Sequence, residues 1–252
     1  DFHALINQVA REQRTDRAIY LEIQAQLPRI KPLLAELRYA IPALRRQKTE
    51  MTAQTLHLLG SQRKINGYLE MGTTGRYLSQ LKQQLDLSGD IVLFHTDAPG
   101  LLSPVDIAER GSLLRRGRFV AMRDYDPLAA TDVADASLDL ITNFIGFHHA
   151  PPAKRDAFVQ SLHRALRPGA RLILRDHDVH SEDMNHLVAL AHDVFNLGLG
   201  GAWAANQQEL RNFTAMAQLV PYLASQGFAQ VGDALRQAGD PTKNELRAFI
   251  KV

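Results

Sequence analysis

Lys64-Ile65-Asn66-Gly67-Tyr68-Leu69-Glu70-Met71-Gly72-Thr73-Thr74-Gly75-Arg76-Tyr77-Leu78 is the stretch on which the fold of this chain turns. It reads as a short strand ending in an acid, then a glycine turn, then the opening of a helix. Gly72 and Gly75 take backbone angles that side chains disfavour and let a ligand approach the main chain closely. The helix that follows offers unpaired N–H groups at its start, which favour an anionic group. Glu70, at the carboxyl end of the strand, is placed to accept hydrogen bonds from a ligand amine or hydroxyl. Taken alone, E-x-G-x-x-G serves a dinucleotide as well as any other nucleotide-like ligand.

Downstream the rhythm is strand, helix, strand. Ile91–Phe94 is a continuous apolar run, as expected for a strand buried on both faces. Phe119–Met122, Leu138–Phe144, Arg171–Leu174, Phe228–Val231 and Leu246–Val252 supply further strands. Between them, Tyr77–Leu87, Val105–Leu114, Lys154–Leu166, Asp183–Leu197 and Leu210–Ala224 read as helices, with Pro221 a kink in the last. The alternation predicts an α/β, doubly wound, mostly parallel seven-stranded sheet. Upstream, residues 1–60 read as helical. Phe2, Leu5, Ile6 and Val9 share one face, and Ile19, Ile23 and Leu27 form a second stripe that Pro28 ends. Leu33, Leu34, Leu37, Ile41 and Leu44 give a third, disturbed at Pro42, and Thr52 is placed to cap a short helix stopped by Gly60. The expected organisation is an N-terminal helical cap, 1–60, packed on a main domain, 61–252.

Composition narrows the classes. The 252 residues are 45% hydrophobic and 22% charged, which fits a folded globular chain. With no cysteine there is no disulfide, no thiolate zinc site and no thiol nucleophile, and a reducing, cytoplasmic location is expected. No apolar run has the length to span a bilayer, so no membrane partner is expected. The formal charge of +2 does not by itself imply nucleic acid. Eight basic residues nevertheless fall between Arg29 and Lys64 against Glu36 and Glu50, which reads first as a solvated helical face.

Four blocks, taken in order, resemble the class I S-adenosylmethionine-dependent methyltransferases. They are Tyr68–Gly75 (YLEMGTTG), Val120–Leu128 (VAMRDYDPL), Ala136–His149 (ASLDLITNFIGFHH) and Ala165–Leu174 (ALRPGARLIL). The likeness runs from about residue 64 to the C-terminus and implies a Rossmann-like methyltransferase fold with S-adenosyl-L-methionine as cofactor. Carried over residue by residue, it implies that Glu70 meets the methionine amine, Asp97 the ribose and Asp124 the adenine amine. Gly72, Thr73 and Gly75 would line the donor, with Tyr125 and Asn143 beside it. Thr74 stands where the family usually has its middle glycine, and Asp106 is the alternative to Asp97.

The acceptor end follows from topology. In an open parallel sheet ligands lie beyond the carboxyl ends of the strands, where His148 and His149 follow the fourth strand and Asp176, His177 and Asp178 the fifth. His149, His177 and Asp176 are the predicted catalytic residues, and His148 is expected to pack. Seven of the ten histidines lie between His148 and His192. Even so, His177-x-x-His180 with Asp176 and Asp178 matches no metal spacing, and no metal is predicted. Asn143-Phe144-Ile145-Gly146 lacks the prolines of amide and adenine N-methylases, which favours a small-molecule acceptor, and methylation at oxygen is expected. Trp203, Phe195 and Phe213 are candidates for an apolar pocket wall, two of the three being expected in the core. Rival readings are an RNA or protein methyltransferase docking through residues 29–64, or a donor-binding chain with a non-methylating or regulatory role. A homodimer is compatible with any of them.

Overall fold

The computed structural model describes residues 2–30, 41–98, 107, 110, 111 and 117–252. Asp106, Leu33, Leu34 and Leu37, and most of the predicted helix Val105–Leu114, lie outside the described residues. The strands are β1 (Lys64–Met71), β2 (Asp86–His95), β3 (Arg118–Ala121), β4 (Leu138–Asn143), β5 (Leu166–His177), β6 (Phe228–Arg236) and β7 (Asn244–Lys251). Among the described residues they form one seven-stranded sheet in the order β3-β2-β1-β4-β5-β7-β6. The first five pair in parallel, while β7 runs antiparallel to both β5 and β6. A polar turn at Gln237–Lys243 joins β6 to β7, and only antiparallel neighbours can be joined by so short a connection. The strand order reverses between β1 and β4, so the crevice that receives ligands in such sheets opens there.

Alternate residues of each strand feed opposite faces. On one face Leu69, Ile141, Leu172 and Phe249 pack with α5 (Pro152–Ala165) and α8 (Met216–Ser225) through Phe158, Leu162, Leu219 and Leu223. On the other, Tyr68, Leu140, Ile173 and Ala248 meet α3 (Ile41–Leu59) and α4 (Leu78–Gln84) through Met51, Leu58, Leu59 and Leu81. A third cluster joins Leu5, Val9, Tyr20 and Ile23 of α1 (Phe2–Glu12) and α2 (Asp16–Ile30) to Leu197 of α6 (Glu182–Gly198), with Trp203 of α7 (Trp203–Gln208) against it. By packing, α3 goes with the sheet, and α1 and α2 with the segment that follows β5.

Several local expectations change. Thr52 caps nothing: it lies inside α3, eleven residues beyond Ile41. Pro42 lies within α3 and does not break it. Gly60, with φ 59°, does end that helix. Pro28 falls within the last turn of α2, which runs on to Ile30. The helix expected from Leu210 starts only at Met216, and Glu209–Ala215 is irregular chain. Of the basic run, Arg45, Arg46, Arg63 and Lys64 are exposed, whereas Lys48 is buried. Among the described residues no helix is long and apolar enough to cross a membrane.

Candidate active site

Glu70 lies on central strand β1, paired with Leu93 on one side and Thr142 on the other, and is 1% exposed. Its carboxylate is taken up by the chain's own donors. Oε1 accepts from the Thr73 hydroxyl and from the Tyr77 N–H (3.1 Å), and Oε2 from the Tyr68 hydroxyl at 3.2 Å. Burial raises its pKa, and these hydrogen bonds oppose the rise. Glu70 thus faces the turn and fixes the start of α4.

Gly72 has φ 80°, and a Cβ there would stand 2.5 Å from the Ile145 carbonyl oxygen, so the loops after β1 and β4 touch backbone to backbone. Gly75, φ 96°, completes the turn. Two buried polar atoms beside this contact, Thr74 Oγ1 and Asn143 Nδ2, have no hydrogen-bond partner among the described residues. Asn143 Oδ1 accepts from the Ile145 N–H at 3.3 Å, which fixes the amide orientation and leaves Nδ2 as the unpaired donor. Buried groups of this kind call for a ligand or water. Asp97 follows β2 with its side chain exposed.

Beyond β3, Asp124 and Tyr125 are consecutive left-handed residues, φ 45° and 57°. For tyrosine that conformation is uncommon and is held by its surroundings. The Tyr125 hydroxyl donates to the Gly146 carbonyl and its ring stands edge-on to Phe158. Lys154 Nζ clamps the loop, reaching Asp124 Oδ2 and Asp126 Oδ1, both at 2.9 Å. Asp124 and Tyr125, Asp97, Thr74 and Asn143 thus stand at the carboxyl ends of the neighbouring strands β3, β2, β1 and β4.

Next to these strand ends lies a cluster of histidines. Gly146 (φ 92°) turns the chain after β4 into the short 3-10 helix Phe147–His149. The His148 ring is 4.2 Å from that of His149, 5.0 Å from His192, 5.5 Å from His177 and 5.0 Å from Phe213. His148 Nδ1 meets Asp176 Oδ1 at 2.6 Å, both groups being buried. Asp176 Oδ1 also accepts from the His177 N–H. Burial raises the Asp176 pKa, but the interactions with His148 and His177 outweigh it and hold it below the usual range. His149 Nδ1 bonds the Leu210 carbonyl at 2.6 Å, and His177 Nδ1 the Thr242 carbonyl at 3.1 Å. Burial and the neighbouring His148 lower the His149 pKa, and burial pushes His177 down to about 4. His177 is therefore neutral at physiological pH, and each of the two rings donates through Nδ1 to a carbonyl, leaving Nε2 as its second nitrogen.

The cluster is closed by the segment after α6. Arg211 bonds Glu209 and Asp193 at 2.8 Å each and Asn206 at 2.9 Å, and Asn196 bonds both Asn206 and Glu209. This network holds Glu209 within 3.8 Å of His149 Nε2 and 3.7 Å of His192 Nδ1. Burial works against the Glu209 charge, but the nearby His192 and the Arg211 hydrogen bond bring its pKa down to about 2. The Asn212 N–H bonds the His148 carbonyl at 2.8 Å, latching the segment over the end of β4. Of the three aromatic candidates, Phe213 lies among the histidines and Trp203 packs on Tyr20 in the cap, but Phe195 is 62% exposed and belongs to neither wall nor core.

His148, His192, Glu209 and Arg211 were not among the predicted site residues. The crowding of histidines was the available signal, but His192 and Glu209 meet His148 only through the fold. His186, six positions before His192, is exposed, as expected for a helix residue on another face. His180 is exposed too, so the pair His177-x-x-His180 does not converge.

The profile of a protein family described as "Methyltransferase domain" matches residues 69–174. That span runs from β1 to β5 and stops short of His177, His192 and Glu209. No curated protein matches the chain. Among solved structures, a Burkholderia thailandensis 1,6-didemethyltoxoflavin-N1-methyltransferase, with 1,6-didemethyltoxoflavin and S-adenosylhomocysteine bound, superposes with TM-score 0.53 at 14% identity, covering 95% of this chain and 92% of that one. The YcgJ protein of Bacillus subtilis gives 0.55 at 12% identity, over 81% and 98%. An O-methyltransferase family 2 protein of Planctomyces limnophilus, in complex with apigenin, gives 0.55 at 14% identity, over 87% and 64%. Identities this low speak for the fold.

Proposed function

We propose that this chain is a class I S-adenosylmethionine-dependent methyltransferase that methylates a small molecule, at oxygen, a reading that the match of residues 69–174 to a methyltransferase-domain family supports. Bound S-adenosylmethionine supplies a methyl group already activated on a sulfonium, so the protein's task is to position two reactants and exclude water. The observation that carries the small-molecule reading is the latched cover. The Asn212 and Leu210 backbone bonds to His148 and His149 fasten the segment after α6 over the strand ends, and α1 and α2 pack on that segment. A cover fastened at both edges suits an enclosed acceptor better than a macromolecule docked from outside.

In this reading Gly72, Thr73 and Gly75 line the donor, Asp97 takes the ribose hydroxyls, and Asp124 with Tyr125 frames the adenine. The unpaired Asn143 Nδ2 and Thr74 Oγ1 match a polar ligand, which is why the residues present fit this cofactor. His149 and His177 face the acceptor. Asp176 Oδ1 holds His148 and accepts from the His177 N–H, so Asp176 acts as a positioning residue.

S-adenosylmethionine or S-adenosylhomocysteine at about 100 times Kd should raise the unfolding midpoint by roughly 5–10 °C, while NAD leaves it unchanged. Asp97→Ala should weaken donor binding about 10-fold, the loss of a charged hydrogen-bond partner. Stabilisation by NAD alone would overturn the cofactor assignment. For the acceptor, transfer of labelled methyl groups to hydroxylated small molecules, against amines, RNA and protein, is the deciding measurement. His177→Ala should lower turnover at least about 10-fold with donor affinity kept. Unchanged turnover removes His177 from the acceptor site.

A further inference from the structure

The histidine cluster holds more than acceptor contacts require. Among the described residues, ring nitrogens of His148, His149 and His192 lie within 4.8 Å of one another. Each of the first two is oriented by its other nitrogen: His148 Nδ1 by the buried carboxylate of Asp176, His149 Nδ1 by the Leu210 carbonyl. Metal-binding histidines are held this way, one ring nitrogen bonded to a carboxylate or carbonyl so that the other turns its lone pair inward. The nitrogen left over on His148, Nε2, is buried and has no hydrogen-bond partner among the described residues. Such an atom, in a residue 6% exposed, costs stability unless something binds it. Glu209 supplies a charged oxygen at the same place, and Arg211 and Asn196 hold it there.

We propose that His148, His149 and His192, together with Glu209, bind a divalent first-row transition ion. Three imidazoles and one carboxylate are the donor set of zinc and ferrous sites, and they do not suit magnesium or calcium, which take oxygen ligands. In a closed tetrahedral site with Zn–N of about 2.0–2.1 Å the nitrogens stand about 3.3 Å apart, so the rings draw in when the ion binds. His149 and His192, only partly buried, have room to do so. Asp176 orients His148, and the Arg211 network orients Glu209. The match to the methyltransferase family ends at residue 174, before His192 and Glu209. The site thus joins two histidines that follow β4 to His192 and Glu209 from the segment after β5. An ion that expands to five or six ligands leaves a position for an acceptor oxygen beside His177. That consequence rests on the proposed reaction, whereas the ion site does not.

The test uses the full chain, stripped with a chelator and given neither donor nor acceptor. Zinc should be retained through gel filtration at about one ion per chain, and cobalt(II) should give the visible absorption of a four- or five-coordinate centre. Excess magnesium should displace neither. His192→Ala and Glu209→Gln should weaken zinc binding at least about 100-fold, and Asp176→Asn about 10-fold through the orientation of His148. His186→Ala, on the exposed face of the same helix, should bind as the parent does. His148 is buried and its substitution can unfold the chain, so His192→Ala carries the decision, with circular dichroism confirming its fold. Zinc retained equally by the parent and His192→Ala, or by neither, overturns the proposal. If the ion binds but methyl transfer to hydroxyl acceptors fails, the site stands and the acceptor reading falls.

Discussion

Gly72→Ala should lower S-adenosylmethionine affinity about 100-fold and the unfolding midpoint by roughly 6–12 °C. Two effects combine. The backbone at Gly72 has φ 80°, where an L side chain is strained by about 1–2 kcal/mol. The new methyl group would also stand 2.5 Å from the Ile145 carbonyl oxygen, an atom of the backbone that cannot swing away. Relief requires the loops after β1 and β4 to part, which shifts Asn143 and Thr74 together with the turn. A total near 3 kcal/mol gives the stated midpoint change for a chain of this size. Displacement of a positioned ligand by about 1 Å accounts for the affinity loss. Gly60→Ala separates the two effects: φ is 59° there, but nothing lies within 4 Å of the added methyl. It should cost only the strain, with donor binding unchanged. Donor affinity reduced equally in both variants would show that Gly72 has no local role at the cleft.

The parts of this molecule that local chemistry fixes could be read from the sequence. A buried parallel strand is an apolar run, as in Ile91–Phe94, and a glycine turn before a helix has one usual meaning, so the sheet and the place of the crevice were legible. Thr52 misled because a threonine before an apolar run resembles a cap, whereas in α3 its hydroxyl contacts Gln80 of α4 from inside the helix. Glu209–Ala215 misled because apolar residues at helical spacing also occur in irregular chain pinned by tertiary bonds, here from Asn212 to His148. The histidine site is the extreme case. His148 and His149 lie after β4, His192 on α6, and Glu209 on an irregular segment held by Arg211. No spacing in the chain encodes their meeting, and only the stacking of α6 and the following loop over β4 and β5 brings it about.

Glu70 gives the second large effect, and it separates two ways in which an acid at the end of β1 can serve a donor site. As a direct partner of the methionine amine, it would work through its charge. The geometry favours a brace: Thr73, Tyr77 and Tyr68 all donate to it, and it is 1% exposed. Glu70→Ala leaves those donors without an acceptor and should cost roughly 3–5 kcal/mol, with donor binding lost as the turn loosens. Glu70→Gln keeps an oxygen for Thr73 and the Tyr77 N–H, while the Tyr68 hydroxyl retains Thr142 at 2.7 Å. It should therefore fold and bind S-adenosylhomocysteine and S-adenosylmethionine within about threefold of the parent, since one neutral hydrogen bond contributes only about 1 kcal/mol. Stability against pH supplies an independent check. Burial raises the Glu70 pKa above its unfolded value, so the folded chain binds that proton more tightly. The associated stability is full below about pH 4.3, the unfolded value, and is lost as pH rises through the folded one. The difference in unfolding free energy, parent minus Glu70→Gln, should thus decline as pH rises from about 4.3. A flat difference, with donor affinity down more than about 30-fold in Glu70→Gln, would mean that the carboxylate meets the donor's amine as a charge.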